Sequence, residues 1–226
     1  MGYGAKIIVS GDYALFSRPE MKVERVSYDV PTPSALVGLI SSVYWHPGVK
    51  YIIDKIVVYN PISFVNIRRN EVKEKLLPSD VFKQMQGKKA DISIDASEVR
   101  TQRASMLLKN VKYGVEFHFE LTSKAAEVLL TPEKCYNILL RRLRKGQFYC
   151  QPCLGCREFP AVVELAETLD NSTLPGDVYL GYMLYELRYK TDENGKSTDA
   201  ADPVFYRPHM INGEIDVRRY AKELQC

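Results

Sequence analysis

Two cysteine intervals and three histidines are the residues in this 226-residue chain whose types and spacing suggest chemistry. Cys150, Cys153 and Cys156 stand at the spacing with which thiolates hold zinc or an iron–sulfur cluster. A ferredoxin run would put a fourth cysteine at position 160, where Pro160 stands. Cys135 and Cys226 have no paired spacing. The three therefore read as small packing residues in a turn around Leu154–Gly155, and neither a metal nor a cofactor is expected. A metal–thiolate protein is the competing reading, and it requires bound zinc or iron. The histidines are His46, His118 and His209. No Gly-x-Ser-x-Gly elbow, phosphate-binding Gly-x4-Gly-Lys loop or His-Glu-x2-His pair accompanies them. His118 stands out because its surroundings are basic. An imidazole titrates near neutrality and can take or give a proton. Tyr44 is a candidate partner, at the end of the first helix and near the domain rim.

The elements that must position these groups are legible in outline. Ala5 to Val9 reads as a strand, extended after a bend by Tyr13 to Phe16. Thr32-Pro33 starts a helix, with Leu36, Leu39, Ile40 and Val43 as its buried stripe and an end by His46. Ile52 to Tyr59 is the next strand, which Ile62 to Ile67 continues past Asn60-Pro61. From Arg68 to about Arg103 no period is sustained, so this reads as a long basic insertion. Tyr113 to Leu121 alternates, with the odd-numbered residues facing one way and His118 the other. Thr131-Pro132 starts a second helix that Gly146 ends, and Ala161 to Leu165 is a further strand.

The order is β-α-β, insertion, β-α-β, the split pattern of a ferredoxin-like body. The expected class is α+β. A ferredoxin-like, RRM-like domain over 1–170 carries the basic insertion at about 68–103, and an antiparallel β extension follows over 171–226. In the extension, Val178 to Tyr189 leads to a turn at Asp192 to Gly195. Val204 to Ile211 and Glu214 to Val217 flank a hairpin turn at Asn212-Gly213.

Composition excludes several classes. With 46% hydrophobic and 26% charged residues the chain is neither a disordered tail nor a coiled coil. The longest run without an acid or base, Val30 to Val49, holds three prolines, and its apolar part is too short to span a bilayer. No membrane partner is expected, and the chain reads as cytoplasmic. The net charge of +3 hides an asymmetry. Asn66 to Lys89 holds seven bases against three acids, and Val99 to Tyr113 holds four bases and no acid. Pro160 to Pro203 reverses this with nine acids against three bases. A basic front and an acidic back suit a polyanion on one face and another partner on the other.

Several blocks resemble the fifth Cas protein family in its type I-C CRISPR variant. They include Gly11-Asp12-Tyr13-Ala14-Leu15-Phe16, Ser27-Tyr28-Asp29-Val30-Pro31-Thr32-Pro33, and Val43-Tyr44-Trp45-His46-Pro47. Arg68-Arg69-Asn70-Glu71-Val72, Gln102-Arg103-Ala104, Glu116-Phe117-His118-Phe119-Glu120-Leu121 and Pro152 to Pro160 agree in order over nearly the whole chain. The resemblance implies a repeat-processing endoribonuclease of the RAMP superfamily. Such an enzyme cuts precursor CRISPR RNA without a metal, by attack of a ribose 2′-OH on the adjacent phosphate. It then stays on the 5′ handle beside the other subunits of the surveillance complex.

The resemblance carries the catalytic tyrosine onto Tyr44 and the catalytic histidine onto His118. The lysine the family places close to that histidine is replaced here by Glu116 and Phe117, so Lys112 or an arginine is expected to supply the charge. A tyrosine hydroxyl ionises at about pH 10 and is a poor base at neutrality, so it suits positioning or proton donation. Which of Tyr44 and His118 is base and which acid stays open. For the RNA backbone the candidates are Arg68, Arg69, Arg103, Arg141, Arg142, Lys145 and Arg157. Tyr13 and Phe16 are expected to stack unpaired handle bases. A handle-binding subunit that does not cut is the alternative, and duplex DNA is a further partner implied for some relatives.

Overall fold

The computed structural model describes residues 3–21, 23–89, 92–127, 129–191, 197–222 and 224. Strand β1 (Gly4–Ala14) opens the chain, and a short β2 (Arg25–Val26) follows. Helix α1 (Pro33–Val43) begins where the sequence requires: the Thr32 hydroxyl accepts from the Ala35 N–H at 3.2 Å, and Pro33 occupies the first turn. Its apolar stripe, Leu36, Leu39, Ile40 and Val43, is buried. The helix stops at Val43, before the expected limit of His46.

Strands β3 (Val49–Val58) and β4 (Phe64–Val72) come next, then helix α2 (Pro78–Met85). Strand β5 (Arg100–Leu121) runs for 22 residues, far beyond its expected start at Tyr113. Its first half pairs with β4, from Phe64 against Leu108 to Val72 against Arg100. The segment read as an aperiodic insertion is therefore a two-stranded arm that carries α2 between its strands. Its period was hidden because neither face is apolar: Asn66, Arg68 and Asn70 alternate with half-buried residues along a solvated ribbon. Asn110 joins arm to body with φ +51°, a left-handed value that asparagine tolerates, and its carbonyl accepts from Asn60 at 2.7 Å.

Helices α3 (Ser123–Glu127) and α4 (Pro132–Lys145) follow, with α4 capped by Thr131 and ended by left-handed Gly146. Strand β6 (Val162–Ala166) completes the first part. The C-terminal strands are β7 (Asp177–Tyr179), β8 (Met183–Thr191), β9 (Ser197–Tyr206), β10 (His209–Ile211) and β11 (Glu214–Asp216), before a 3-10 turn over Val217–Lys222. Gly181, at φ +71°, divides the expected 178–189 strand into β7 and β8. Asn212 and Gly213 both have positive φ, as a type I′ hairpin needs. The expected turn at Asp192 to Gly195 lies outside the described residues.

The architecture is mixed α/β. One large sheet runs β6-β1-β5-β3-β11-β10-β7, and β8 with β9 forms a second, two-stranded sheet. β1, β3, β5 and β6 are antiparallel to one another, and the short β2 pairs parallel to β5 at Ser105 and Met106. The core lies on one face of this sheet, where Ile7, Val9, Ile53, Val115 and Phe117 meet the buried sides of α1 and α4. The extension joins the same sheet, because β11 pairs with β3 from Glu214 against Val57 to Asp216 against Lys55. Among the described residues no helix is long and apolar enough to cross a membrane.

Candidate active site

Alternation along β5 decides where each candidate group points. Phe117 and Phe119 are buried in the core, their rings edge-on to Tyr51. Successive residues of a strand face opposite ways, so His118 leaves the sheet on the face opposite Phe117 and Phe119. Across the sheet its row is Gly4, His118 and Ile52. A Cβ on Gly4 would lie 2.7 Å from the Phe117 carbonyl oxygen, so only glycine fits in this row beside the imidazole.

The partner of His118 comes from an irregularity in β3. Ile52 and Ile53 oppose His118 and Phe117, but Lys55 rather than Asp54 opposes Glu116. Asp54 is the extra residue of a bulge, a device that re-aims a side chain. Its carboxylate is nearly buried and lies 2.9 and 3.0 Å from His118 Nδ1. Arg218 Nε, from the C-terminal turn, lies 3.9 Å from the same carboxylate and 3.7 Å from Asp216. The imidazole opens into a cleft of about 930 Å³ whose lining includes Lys6, Glu116, Arg144 and Arg218. Glu116 and His118 share a face of β5, with Glu116 opposite Lys6 on β1.

Tyr44 is elsewhere. It ends α1, is buried rather than at the rim, and its hydroxyl donates to Cys135 Sγ on α4 at 3.9 Å. Its own carbonyl accepts from the Tyr51 hydroxyl at 2.7 Å. Burial, with the Cys135 thiol beside it, pushes the Tyr44 hydroxyl up to about 12. Tyr51 belongs to the core face, so Tyr44 and His118 stand on opposite faces of the sheet. The structure does not bring the two together.

Lys112 is also distant. Six residues along β5 from His118 amount to about 20 Å. Its ammonium lies over the Tyr59 ring, 5.7 Å from the centroid. The cations at the cleft are Lys6, Arg144 and Arg218 instead.

The arginines expected on RNA divide into two sets. Arg69 binds Glu158 and the Ser105 hydroxyl, and lies 3.9 Å from Glu71. Arg103 and Arg25 approach the same Glu71 at 3.5 and 3.7 Å. This network ties the arm to the body. Arg142 donates to the Val43 carbonyl at 2.6 Å and covers the Tyr44 ring, satisfying an open helix end. Arg68, Arg141, Lys145 and Arg157 are exposed. Tyr13 is exposed, whereas Phe16 is buried and packs edge-on to Tyr113, out of reach of a stacking base.

The other histidines have local roles. His46 Nδ1 accepts from the Gly48 N–H at 3.0 Å, and His209 lies 2.8 Å from Asp177. Gly155, at φ +86°, lies so close to the chain just after β1 that a Cβ would sit 2.0 Å from the Leu15 carbonyl oxygen. Leu154 beside it is fully buried, and burial pushes the Cys153 and Cys156 thiols up. Among the described residues no three His, Cys, Asp or Glu side chains gather as a metal-ligand set.

Sequence reasoning missed Asp54, Lys6, Arg144 and Arg218. Asp54 had a signal, as the one acid inside the otherwise apolar and basic run Val49 to Val58. Arg218 had none, because only the β11–β3 pairing brings the C-terminal turn to the cleft.

Comparison with known proteins gives a consistent picture. Residues 6–218 match the family model for Cas5d, described as CRISPR-associated protein. The chain is 42% identical over 230 residues to a Mannheimia succiniciproducens protein named CRISPR pre-crRNA endoribonuclease Cas5d, with 97% of each chain covered. A Thermus thermophilus protein of the same name is 35% identical over 225 residues, covering 94% of this chain and 90% of its own. A crystal structure of a CRISPR-associated protein aligns with a TM-score of 0.66 at 23% identity, over 95% of this chain and 91% of that one. A functionally uncharacterized protein of Streptococcus mutans aligns at 0.65 and 24% identity, with the same coverage. At that identity these two structures speak for the fold alone.

Proposed function

This chain belongs to the Cas5d family of CRISPR-associated proteins, and from that premise we propose that it is the type I-C endoribonuclease that cuts precursor CRISPR RNA within the repeat. The observation that carries the proposal is His118, held by Asp54 at one edge and open at the other to a cleft lined by Lys6, Arg144 and Arg218. Cleavage by a ribose 2′-OH requires a base for that hydroxyl, a proton for the departing 5′-oxygen and positive charge beside the phosphorane. His118 supplies the proton transfer, and the three cations supply the charge. Tyr44 supports the site through the α1–α4 packing rather than at the phosphate, and Lys112 acts outside the cleft. The products are a 2′,3′-cyclic phosphate and a 5′-hydroxyl.

After cleavage the protein keeps the 5′ handle of the product within the surveillance complex. Exposed Arg68, Arg141, Lys145 and Arg157 support contact with phosphates, and the bases of the arm would serve RNA or duplex DNA alike. The order β6-β1-β5-β3, with α1 and α4 on one face, supports a ferredoxin-like body over 1–170. The β extension over 171–226, with the acidic stretch Pro160 to Pro203 that leads into it, is left for neighbouring subunits, in the cytoplasm.

Glu116 favours a second reading, because it adds negative charge on the face where the phosphate must sit. In that reading the protein binds the handle and does not cut. Incubation of the full chain with labelled cognate repeat RNA in EDTA separates the two. A single cut by the wild type, absent from the 2′-deoxy substrate and from His118→Ala, supports the nuclease. Tight binding with no cut supports the handle-binding subunit.

A further inference from the structure

We infer that Asp54 is a positioning residue that holds the His118 proton on Nδ1 and so leaves Nε2 as the base for the 2′-hydroxyl. The inference rests on the reading of His118 as the proton-transfer group. It starts from the bulge in β3. In an unbroken register, Ile52 against His118 and Ile53 against Phe117 would put Asp54 opposite Glu116, carboxylate against carboxylate. The bulge removes that clash, places Lys55 opposite Glu116, and leaves Asp54 without a cross-strand partner.

The carboxylate so released meets His118 with both oxygens at 2.9 and 3.0 Å from the same nitrogen. An ionised carboxylate only accepts hydrogen bonds, so Nδ1 must donate. A neutral imidazole has one N–H, and with that proton on Nδ1 the Nε2 lone pair is free to accept.

The chemistry then balances on a single ring. Nε2 takes the proton of the 2′-hydroxyl as the O2′–P bond forms. The imidazolium produced lies against the Asp54 carboxylate, which stabilises its charge. As the P–O5′ bond breaks, Nε2 returns the proton to the departing 5′-oxygen. The enzyme ends as it began, and no tyrosinate is needed.

A second histidine–carboxylate pair in the chain provides an internal contrast. His209 and Asp177 approach to 2.8 Å, but their side chains are 44% and 58% exposed, against 9% for Asp54. Water competes for both partners of the exposed pair, so its tautomer is free to vary. The buried carboxylate of Asp54 leaves His118 no such choice.

The test combines a spectroscopic and a kinetic measurement on the full chain. Long-range proton–nitrogen spectra of 15N-labelled protein at pH 8, assigned with His118→Ala, report the tautomer of each ring. His118 is expected as the Nδ1–H form in the wild type, and as a mixture or the Nε2–H form in Asp54→Asn. Single-turnover cleavage by Asp54→Asn is expected to fall by about 10²–10⁴-fold, with RNA affinity within about twofold of wild type. An Nε2–H or mixed His118 in the wild type overturns the inference without reference to any variant. So does a cleavage rate unchanged by Asp54→Asn. A wild type that cuts no repeat RNA overturns the nuclease reading, while its spectrum still decides whether Asp54 sets the tautomer.

Discussion

Tyr44 and His118 stand on opposite faces of one sheet: the first is buried against Cys135 of α4, and the second is held by Asp54 over an open cleft. The layer between them is the β3–β5 pair itself, so their separation follows from strand alternation and not from a side-chain rotamer. The first expectation follows directly. Tyr44→Phe removes only a long hydrogen bond to a thiol, and the single-turnover rate on repeat RNA should stay within about threefold of wild type. Tyr44→Ala empties the core between α1 and α4 and should cost about 3–5 kcal/mol in urea unfolding.

The cations of the cleft should separate from Lys112. Arg218→Ala should lower the cleavage rate by about 10–10³-fold, as loss of one charge-stabilising donor does in other active sites. Lys112→Ala, about 20 Å along β5, should change it by less than about twofold. Comparable losses for the two variants would place the reacting phosphate elsewhere on the sheet.

The arm should loosen when its ionic tie is cut. Glu71 meets Arg25, Arg69 and Arg103, and Arg69 continues to Glu158 on the cysteine-bearing loop. Glu71→Gln leaves three guanidinium groups close together. It should raise amide exchange in β4 and the outer half of β5 while the β1–β5–β3 core stays protected. Uniform protection across both regions would show that the arm is held by its ladder alone.

Alkaline pH should destabilise the fold. Burial raises the hydroxyl of Tyr44 to about 12 and pushes Tyr51, Tyr113 and Tyr206 upward as well. A tyrosine whose folded value lies above its unfolded value of about 10 favours the native state while both are protonated. That contribution is complete below about pH 10 and is lost as pH rises through the folded value. Urea midpoints should therefore fall between about pH 10 and pH 12, with tyrosinate absorbance appearing together with unfolding.

How far the sequence carried the reading depended on whether a signal was local. The helix starts at Thr32-Pro33 and Thr131-Pro132 and the turn at Asn212-Gly213 are written in adjacent residues, and the chain folds there as read. The odd-numbered apolar side of β5 from Tyr113 was legible because one face is buried. The same strand from Arg100 to Lys112 was not, because its outer residues Arg100 to Ala104 are exposed or half-buried and the buried ones that follow, Ser105, Leu107, Leu108 and Val111, do not alternate. Asp54 and Arg218 reach His118 through a bulge and a C-terminal pairing, and neither leaves a mark in local spacing. The burial of Tyr44 was missed for a similar reason: the far side of α1's last turn is covered by α4, about ninety residues later.

One asparagine marks the joint between arm and body. β5 passes from arm to cleft without a break in the strand, and its single left-handed residue is Asn110, clasped by Asn60. The arm is held beyond this joint as well, by β1 and β2 against β5 and by the ties of Glu71 to Arg25 and of Arg69 to Glu158. A β-branched residue at that joint would resist positive φ. It would strain the passage from arm to body and set that strain against the pairing and ion pairs that fix the ribbon.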